Sequence, residues 1–248
     1  MSGTSLAYAA VSRPLTLLLC ALVLGLGLVA CGDDDDSDSG AAKATETAEP
    51  ADATAGDGGG SPACADAEQP AAKPDGGAKK PSQALDPAAT YDVVLKTSCG
   101  DITIRLDQKT SPKTAASFAE LARSGFLDGT IFHRIVPGFV IQGGDPTGTG
   151  TGGPGYSTRD TPPQDTVYTK GVVAMAKTEV EPAGTAGSQF YIVTAPDAGL
   201  PPDYAVLGKV VKGQDVADAI GELGDPASGG AGTPLQPVLI ERAVVRES

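Results

Sequence analysis

From residue 91 onward this chain is cut into short pieces. Its apolar runs, near 130–142, 171–176, 189–194 and 205–211, are each bounded by Gly, Pro or Asp, residues that punctuate elements rather than extend them. Runs this short favour strands over long helices. The segment YDVVLKTSCGDITIRLD, starting at Tyr91, reads as a strand, a Ser-Cys-Gly-Asp turn and a second strand in which Ile102, Ile104 and Leu106 alternate. Ser111 and Pro112 then mark a helix start, Ala115, Phe118, Ala119 and Ala122 follow at helical spacing, and Gly125 marks the end. A shorter helix is predicted over Gln214–Leu223 and a last strand over Pro237–Val245. Many short strands with two helices indicate a mainly β fold, an antiparallel barrel or sandwich. With no Trp and 5 Phe, its core must rest on Val, Ile, Leu and Ala.

The residues before this region have a different character. Arg13 precedes a 16-residue apolar run, Leu15 to Ala30, short for a membrane span but suited to a secretory signal. It ends in Leu28-Val29-Ala30-Cys31, which resembles the bacterial lipobox, where the signal is cut before the cysteine and the thiol is lipidated. The implied organisation is a lipoprotein signal peptide over 1–30, a disordered acidic Ala/Gly/Pro-rich tether over 31–88, and a folded domain over 89–248. Residues 32–90 hold 13 of the 31 acidic residues but 4 of the 18 basic ones, so much of the negative charge falls outside the domain. The acidic balance argues against nucleic acid as a partner, since phosphate binding needs clustered Lys and Arg. On this reading the domain is extracytoplasmic, anchored to the cell membrane by lipid on Cys31, and monomeric. Cys64 and Cys99 then remain, and in an exported chain an isolated pair indicates a disulfide. No Cys/His cluster suggests a metal.

Several chemistries are disfavoured by motif. Gly148 to Gly153 formally match G-x-G-x-x-G, but Pro154 and Gly155 follow where a phosphate-binding helix would have to begin. The only histidine, His133, has no nucleophile in a recognisable elbow to serve, and reads as a hydrogen-bonded structural residue. What stands out is FHRIVPGFVIQGGDPTGTGTGGPG, residues 132–155, with Arg134 between apolar residues and a Gly/Thr loop behind it.

That stretch resembles the central signature of the cyclophilins, peptidyl-prolyl cis–trans isomerases. GVVAMAKTEVEPAGTAGSQFYIV, residues 171–193, is similar to the family's second block with about three extra residues, and YAVLGKV, residues 204–210, to the strand that closes its substrate pocket. The resemblance implies an eight-stranded antiparallel barrel capped by two α-helices, an isomerase needing no cofactor or metal, and proline-containing peptides and unfolded exported proteins as partners. It places Arg134 as the catalytic residue and Phe139, Val140, Tyr191 and Leu200 around the proline. Gln142 and Gln189 would bond the peptide or Arg134, while Ala176, Lys177 and Phe190 would line the groove and Tyr204 would stand where many members have His. Val140 replaces the family's common Met, Tyr191 its Phe and Lys177 its Asn. The tryptophan prominent in cyclosporin binding is absent, with Gly199-Leu200 in its place. The alternative is a proline-peptide binding or scaffold module with little turnover.

Overall fold

A computed structural model describes residues 64–248. The sequence expectations for the signal peptide, for Cys31 and for the tether up to residue 63 lie outside the described residues.

The first hairpin pairs β1 (Tyr91–Thr97) with β2 (Gly100–Leu106) around Ser98-Cys99. On β2 the expected residues Ile102, Ile104 and Leu106 are buried, while β1 buries Val93, Val94 and Leu95 in a row. Next comes α1 (Pro112–Arg123), whose Ala115, Phe118, Ala119 and Ala122 face the core. Its C-terminus is a Schellman turn, with Gly125 at φ 71°, its N–H on the carbonyl of Ala122 and the Phe126 N–H on that of Leu121. The N-terminus differs from expectation. The Ser111 hydroxyl makes no cap, and the carboxylate of Asp160, from a distant loop, accepts from the Thr114 N–H at 2.7 Å.

The other strands are β3 (Thr130–Ile131), β4 (Arg134–Val136), β5 (Val140–Gly143), β6 (Thr158–Arg159), β7 (Val172–Met175), β8 (Thr185–Ala186), β9 (Phe190–Val193), β10 (Val206–Lys212) and β11 (Leu239–Glu247), with α2 (Gln214–Gly221) between the last two. α2 ends two residues before the predicted Leu223. β6 and β8 form a small separate ribbon. The main sheet is antiparallel in the order β3-β11-β1-β2-β10-β7-β9-β5-β4. Its two edges, β3 and β4, are halves of one run of chain interrupted at Phe132 and His133. One half pairs with β11 and the other with β5, so nine strands close the curl as eight runs of chain. The fold is mainly β, as predicted, with Phe118, Phe132 and Phe190 stacked edge to face at its centre.

The tether needs correcting over its second half. Residues 64–85 form an extended strap against the barrel, although they offer too little apolar surface to make a core. What holds them is covalent and polar. Cys64 and Cys99 form a disulfide. The Lys73 ammonium donates to the carbonyls of Phe126 (2.6 Å) and Asp128 (2.9 Å) in the turn beyond α1. Backbone N–H groups of Lys73, Gly76 and Ala78 donate to the carbonyls of Pro146, Gly153 and Pro154. Leu85 and Ala78 pack on the core edge.

Candidate active site

The antiparallel register of β4 and β5 sets Arg134 opposite Gln142, and the next pairing sets Gln142 opposite Tyr191 on β9. Residues distant in sequence thus converge on one face of the barrel. Arg134, Phe139, Val140, Gln142, Ala176, Lys177, Tyr191, Leu200 and Tyr204 line a single pocket of about 240 Å³. All nine are residues that the sequence resemblance singled out. The pocket floor is built by Val140 and Tyr191, both nearly inaccessible to water, over the fully buried Tyr168. Three tyrosines form one aromatic wall, with ring centroids 5.7 Å apart for Tyr191–Tyr204 and 6.0 Å for Tyr168–Tyr204.

Phe190 does not line the groove. Side chains alternate along β9, so Tyr191 and Val193 belong to the pocket cluster while Phe190 and Ile192 point into the barrel core. Phe190 is fully buried against Phe118 and Phe132.

Arg134 is half-buried, and burial pushes its pKa down, opposed by the neighbouring Tyr204; as a guanidinium it nevertheless stays charged. Its Nε and NH2 both donate to the carbonyl of Gly230 at 3.1 Å, and its NH1 approaches Gln142 Oε1 at 3.4 Å. The polar chain continues. Gln142 Nε2 donates to Gln189 Oε1 at 3.0 Å, and Gln189 Nε2 donates to the carbonyls of Gly150 (3.0 Å) and Gly152 (2.9 Å). Gln189 therefore lies beside the pocket as a link to the glycine loop. The Lys177 ammonium turns toward the carbonyls of Thr178 and Glu181 and stands 5.5 Å from the Tyr204 ring centre.

Two residues that sequence reasoning missed hold this arrangement. Asp145 is fully buried under the glycine loop, and its carboxylate accepts from the N–H and hydroxyl of Thr147 and from the N–H groups of Gly150 and Gly152. Burial disfavours its charge, but these bonds outweigh that and hold its pKa below the ordinary carboxylate value. Tyr168 accepts from the Tyr204 N–H and donates to the Tyr204 carbonyl at 2.6 Å, pinning the start of β10; burial is the main cause of its hydroxyl's rise to about 12. The Tyr191 hydroxyl is buried without a partner among the described residues, and that burial pushes its pKa far up. His133 differs from the expectation of a hydrogen-bonded residue: its ring lies against Gly150 of the glycine loop, and neither ring nitrogen makes a hydrogen bond within the described residues.

The site is thus an aromatic pocket on a mainly antiparallel β fold, with an arginine at its mouth and two glutamines beside it. Comparison with known proteins makes the class specific. Residues 92–245 match the family model for cyclophilin type peptidyl-prolyl cis-trans isomerases, and the chain belongs to that family and is an isomerase of its type. Among its relatives, peptidyl-prolyl cis-trans isomerase B of Streptomyces anulatus is 40% identical over 169 residues, covering 61% of this chain and 94% of the relative. The isomerase ppi1 of Schizosaccharomyces pombe is 40% identical over 157 residues, covering 62% and 97%. A crystal structure of a Cryptosporidium parvum cyclophilin type isomerase in the presence of the dipeptide Ala-Pro superposes with a TM-score of 0.57 at 32% identity, over 62% of this chain and 98% of that one.

Proposed function

We propose that this chain isomerises X–Pro bonds in exported proteins while tethered to a cell membrane, and that Arg134 is its catalytic residue. The observation carrying the catalytic reading is the single guanidinium fixed at the mouth of the Phe139–Val140–Tyr191 pocket. Rotation about an X–Pro bond meets a barrier of about 18–20 kcal/mol, set by resonance that gives the C–N bond partial double-bond character. The twisted transition state differs from the ground state in localising the lone pair on the prolyl nitrogen. A directed N–H donor facing that nitrogen stabilises the twisted state selectively, and a thousandfold acceleration needs only about 4 kcal/mol.

The hydrogen bonds of Arg134 suit that task. Nε and NH2 are committed to Gly230, so the guanidinium plane is set before substrate arrives, and NH1 is held only by the long 3.4 Å contact to Gln142 Oε1, the bond most readily exchanged for one to substrate. The apolar floor accepts the proline ring, and Gln142 offers polar contacts to the peptide. A related cyclophilin type isomerase was crystallised in the presence of the dipeptide Ala-Pro, which supports a proline peptide as the ligand.

Export is supported by the apolar run at 15–30 with Cys31 behind it, and by a disulfide, which persists in oxidising compartments. Membrane attachment, unfolded exported clients and a monomeric state belong to the same reading. A protease-coupled assay on an Ala-Pro peptide tests catalysis: Arg134→Ala should lower kcat/KM at least tenfold, and equal rates would remove the assignment. Fractionation tests location: Cys31→Ser should abolish lipid mass and detergent partitioning, and unchanged partitioning with no lipid on the wild type would remove the anchor.

A further inference from the structure

A second pocket, of about 470 Å³, adjoins the first and shares Gln142, Ala176 and Lys177 with it. A peptide with its proline in the first pocket reaches the second within roughly two or three residues, at about 3.3 Å per extended residue. One wall of the second pocket is the glycine loop from Gly150 to Gly155, and behind that loop stands the strap. The Gly153 N–H donates to the carboxylate of Asp75 at 2.8 Å, and the Gly76 N–H donates to the Gly153 carbonyl at 2.9 Å. The backbones touch: a Cβ on Gly155 would lie 3.1 Å from the Gly76 Cα. Asp75 is itself a lining residue of the pocket. The strap lies outside residues 92–245, the part that matches the family.

Charge then decides what this wall does. The ionisable acids and bases lining the pocket are Asp75, Lys177 and Glu181. Lys177 and Glu181 offset one another, and Lys177 also spends its ammonium on the Glu181 and Thr178 carbonyls. Lys80, a strap cation, lines the neighbouring cavity rather than this one, but its ammonium donates to the Ser157 carbonyl and stands 6.0 Å from the Tyr156 ring centre, so it reaches the far rim of this pocket, where Ser157 and Tyr156 also lie. Of the charged side chains that line the pocket itself, Asp75 is the one left unmatched. One of its carboxylate oxygens is engaged by Gly153, and the residue is otherwise exposed.

We infer that the strap is a working wall of the substrate groove, and that Asp75 makes this isomerase select peptides carrying a basic side chain near the proline. The inference rests on the isomerase activity of the groove and not on where the protein resides.

The test uses the whole folded protein and proline peptides in which Lys, Ala or Glu stands one, two or three residues from the proline, on either side. At low salt the wild type should turn over the Lys peptide about threefold to tenfold better than the Glu peptide at one or more of these positions, with the preference shrinking as salt rises. Asp75→Asn retains an acceptor oxygen for Gly153 and removes the charge, so the Lys:Glu ratio of kcat/KM should approach one. Asp75→Lys should invert it. A ratio unmoved in both variants at every position overturns the inference, as does a wild-type ratio near one throughout. Failure of the wild type to turn over even the Ala peptide would strike instead at the isomerase activity itself.

Discussion

Arg134 donates twice to the carbonyl oxygen of Gly230, a residue 96 positions further along the chain, with both bonds at 3.1 Å. Gly230 lies in a short 3₁₀ segment, Pro226–Ala231, that is otherwise docked on the barrel by the Ile135 N–H bond to the Gly232 carbonyl at 2.7 Å. A loop outside the pocket therefore sets the angle of the guanidinium. Gly232 is what permits the close approach: its φ is 67°, and a Cβ there would lie 2.7 Å from Val136 Cγ2 and 2.9 Å from Arg134 Cγ.

Gly232→Val should accordingly misplace Arg134 without touching it chemically. A β-branched residue at positive φ costs about 1–2 kcal/mol, which in a domain of this size lowers Tm by roughly 2–8 °C. Displacement of the reacting group by about 1 Å is worth up to a hundredfold in rate. The expected signature is a kcat lowered at least tenfold with KM for an Ala-Pro peptide nearly constant, since Phe139 and Tyr191 still hold the ring. A kcat equal to wild type would show that Gly230 does not position the arginine.

Asp145→Asn tests the glycine loop. An amide has one acceptor oxygen for the four donors the carboxylate now receives, and its NH2 would face backbone N–H groups. Loss of charge-assisted bonds to a buried group costs about 1.5–3 kcal/mol, or roughly 3–12 °C in Tm, and Gln189 should lose its fixed acceptors at Gly150 and Gly152. Because the folded-state pKa of Asp145 lies below its unfolded value, this stabilisation is present above the ordinary aspartate range and disappears as pH falls through the folded value. Thermal melts from pH 7 to pH 2 should show the acid loss in wild type and a flatter curve in the variant. Equal Tm at pH 7 would mean that the loop is held by other contacts.

The barrel was legible because strand alternation and Gly/Pro punctuation are local signals, and Ile102, Ile104 and Leu106 are buried as their spacing predicts. Most of the groove was legible through motif resemblance. The Phe190 error has a simple origin: in a run such as Phe190-Tyr191-Ile192-Val193 every residue is apolar or aromatic, so the sequence does not reveal which parity faces the pocket. Tyr168 and Asp160 act through partners 36 and 46 positions away, and no spacing rule marks such pairs; the partners of Asp145 are local, but they are backbone N–H groups of a loop whose path the Gly/Thr sequence does not reveal. The strap was misjudged because composition measures capacity to form a core. A segment held by one covalent bond, a caged ammonium and backbone hydrogen bonds needs none.

His133 gives a separate pH dependence, and as the only histidine in the chain it can be followed alone. Its pKa is lowered chiefly by burial, against a raising effect of Asp145, with a smaller lowering by Arg134 and a smaller raising by the neighbouring Gln189. Above the ordinary value of 6.5 neither folded nor unfolded chain carries this proton. Below it the unfolded chain binds a proton that the folded one does not, so stability falls with falling pH until the folded pKa is passed. The wild-type Tm should decline between pH 7 and pH 5 while His133→Gln declines less, and a single imidazole resonance should titrate below 6.5. An imidazole titrating at or above 6.5 would contradict the burial argument.

Cys64→Ala isolates the contribution of the bridge. Cys64 is only partly buried and Cys99 nearly inaccessible, so the substitution leaves a small buried thiol at Cys99 and opens no large cavity. The bridge closes a loop with a sequence separation of 35, for which chain entropy gives up to roughly 3–4 kcal/mol. The strap would keep its other anchors, the Lys73 ammonium on three carbonyls and the backbone bonds to Pro146, Gly153 and Pro154. Loss of the bridge should therefore lower Tm by several degrees without unfolding the barrel. Hydrogen exchange should separate the two parts: amides of Lys73, Gly76 and Ala78 should exchange faster in the variant, while those of β1 and β2 away from Cys99 keep their relative protection. Identical melting and exchange with and without reductant in the wild-type protein would mean that the strap is held by its polar anchors alone.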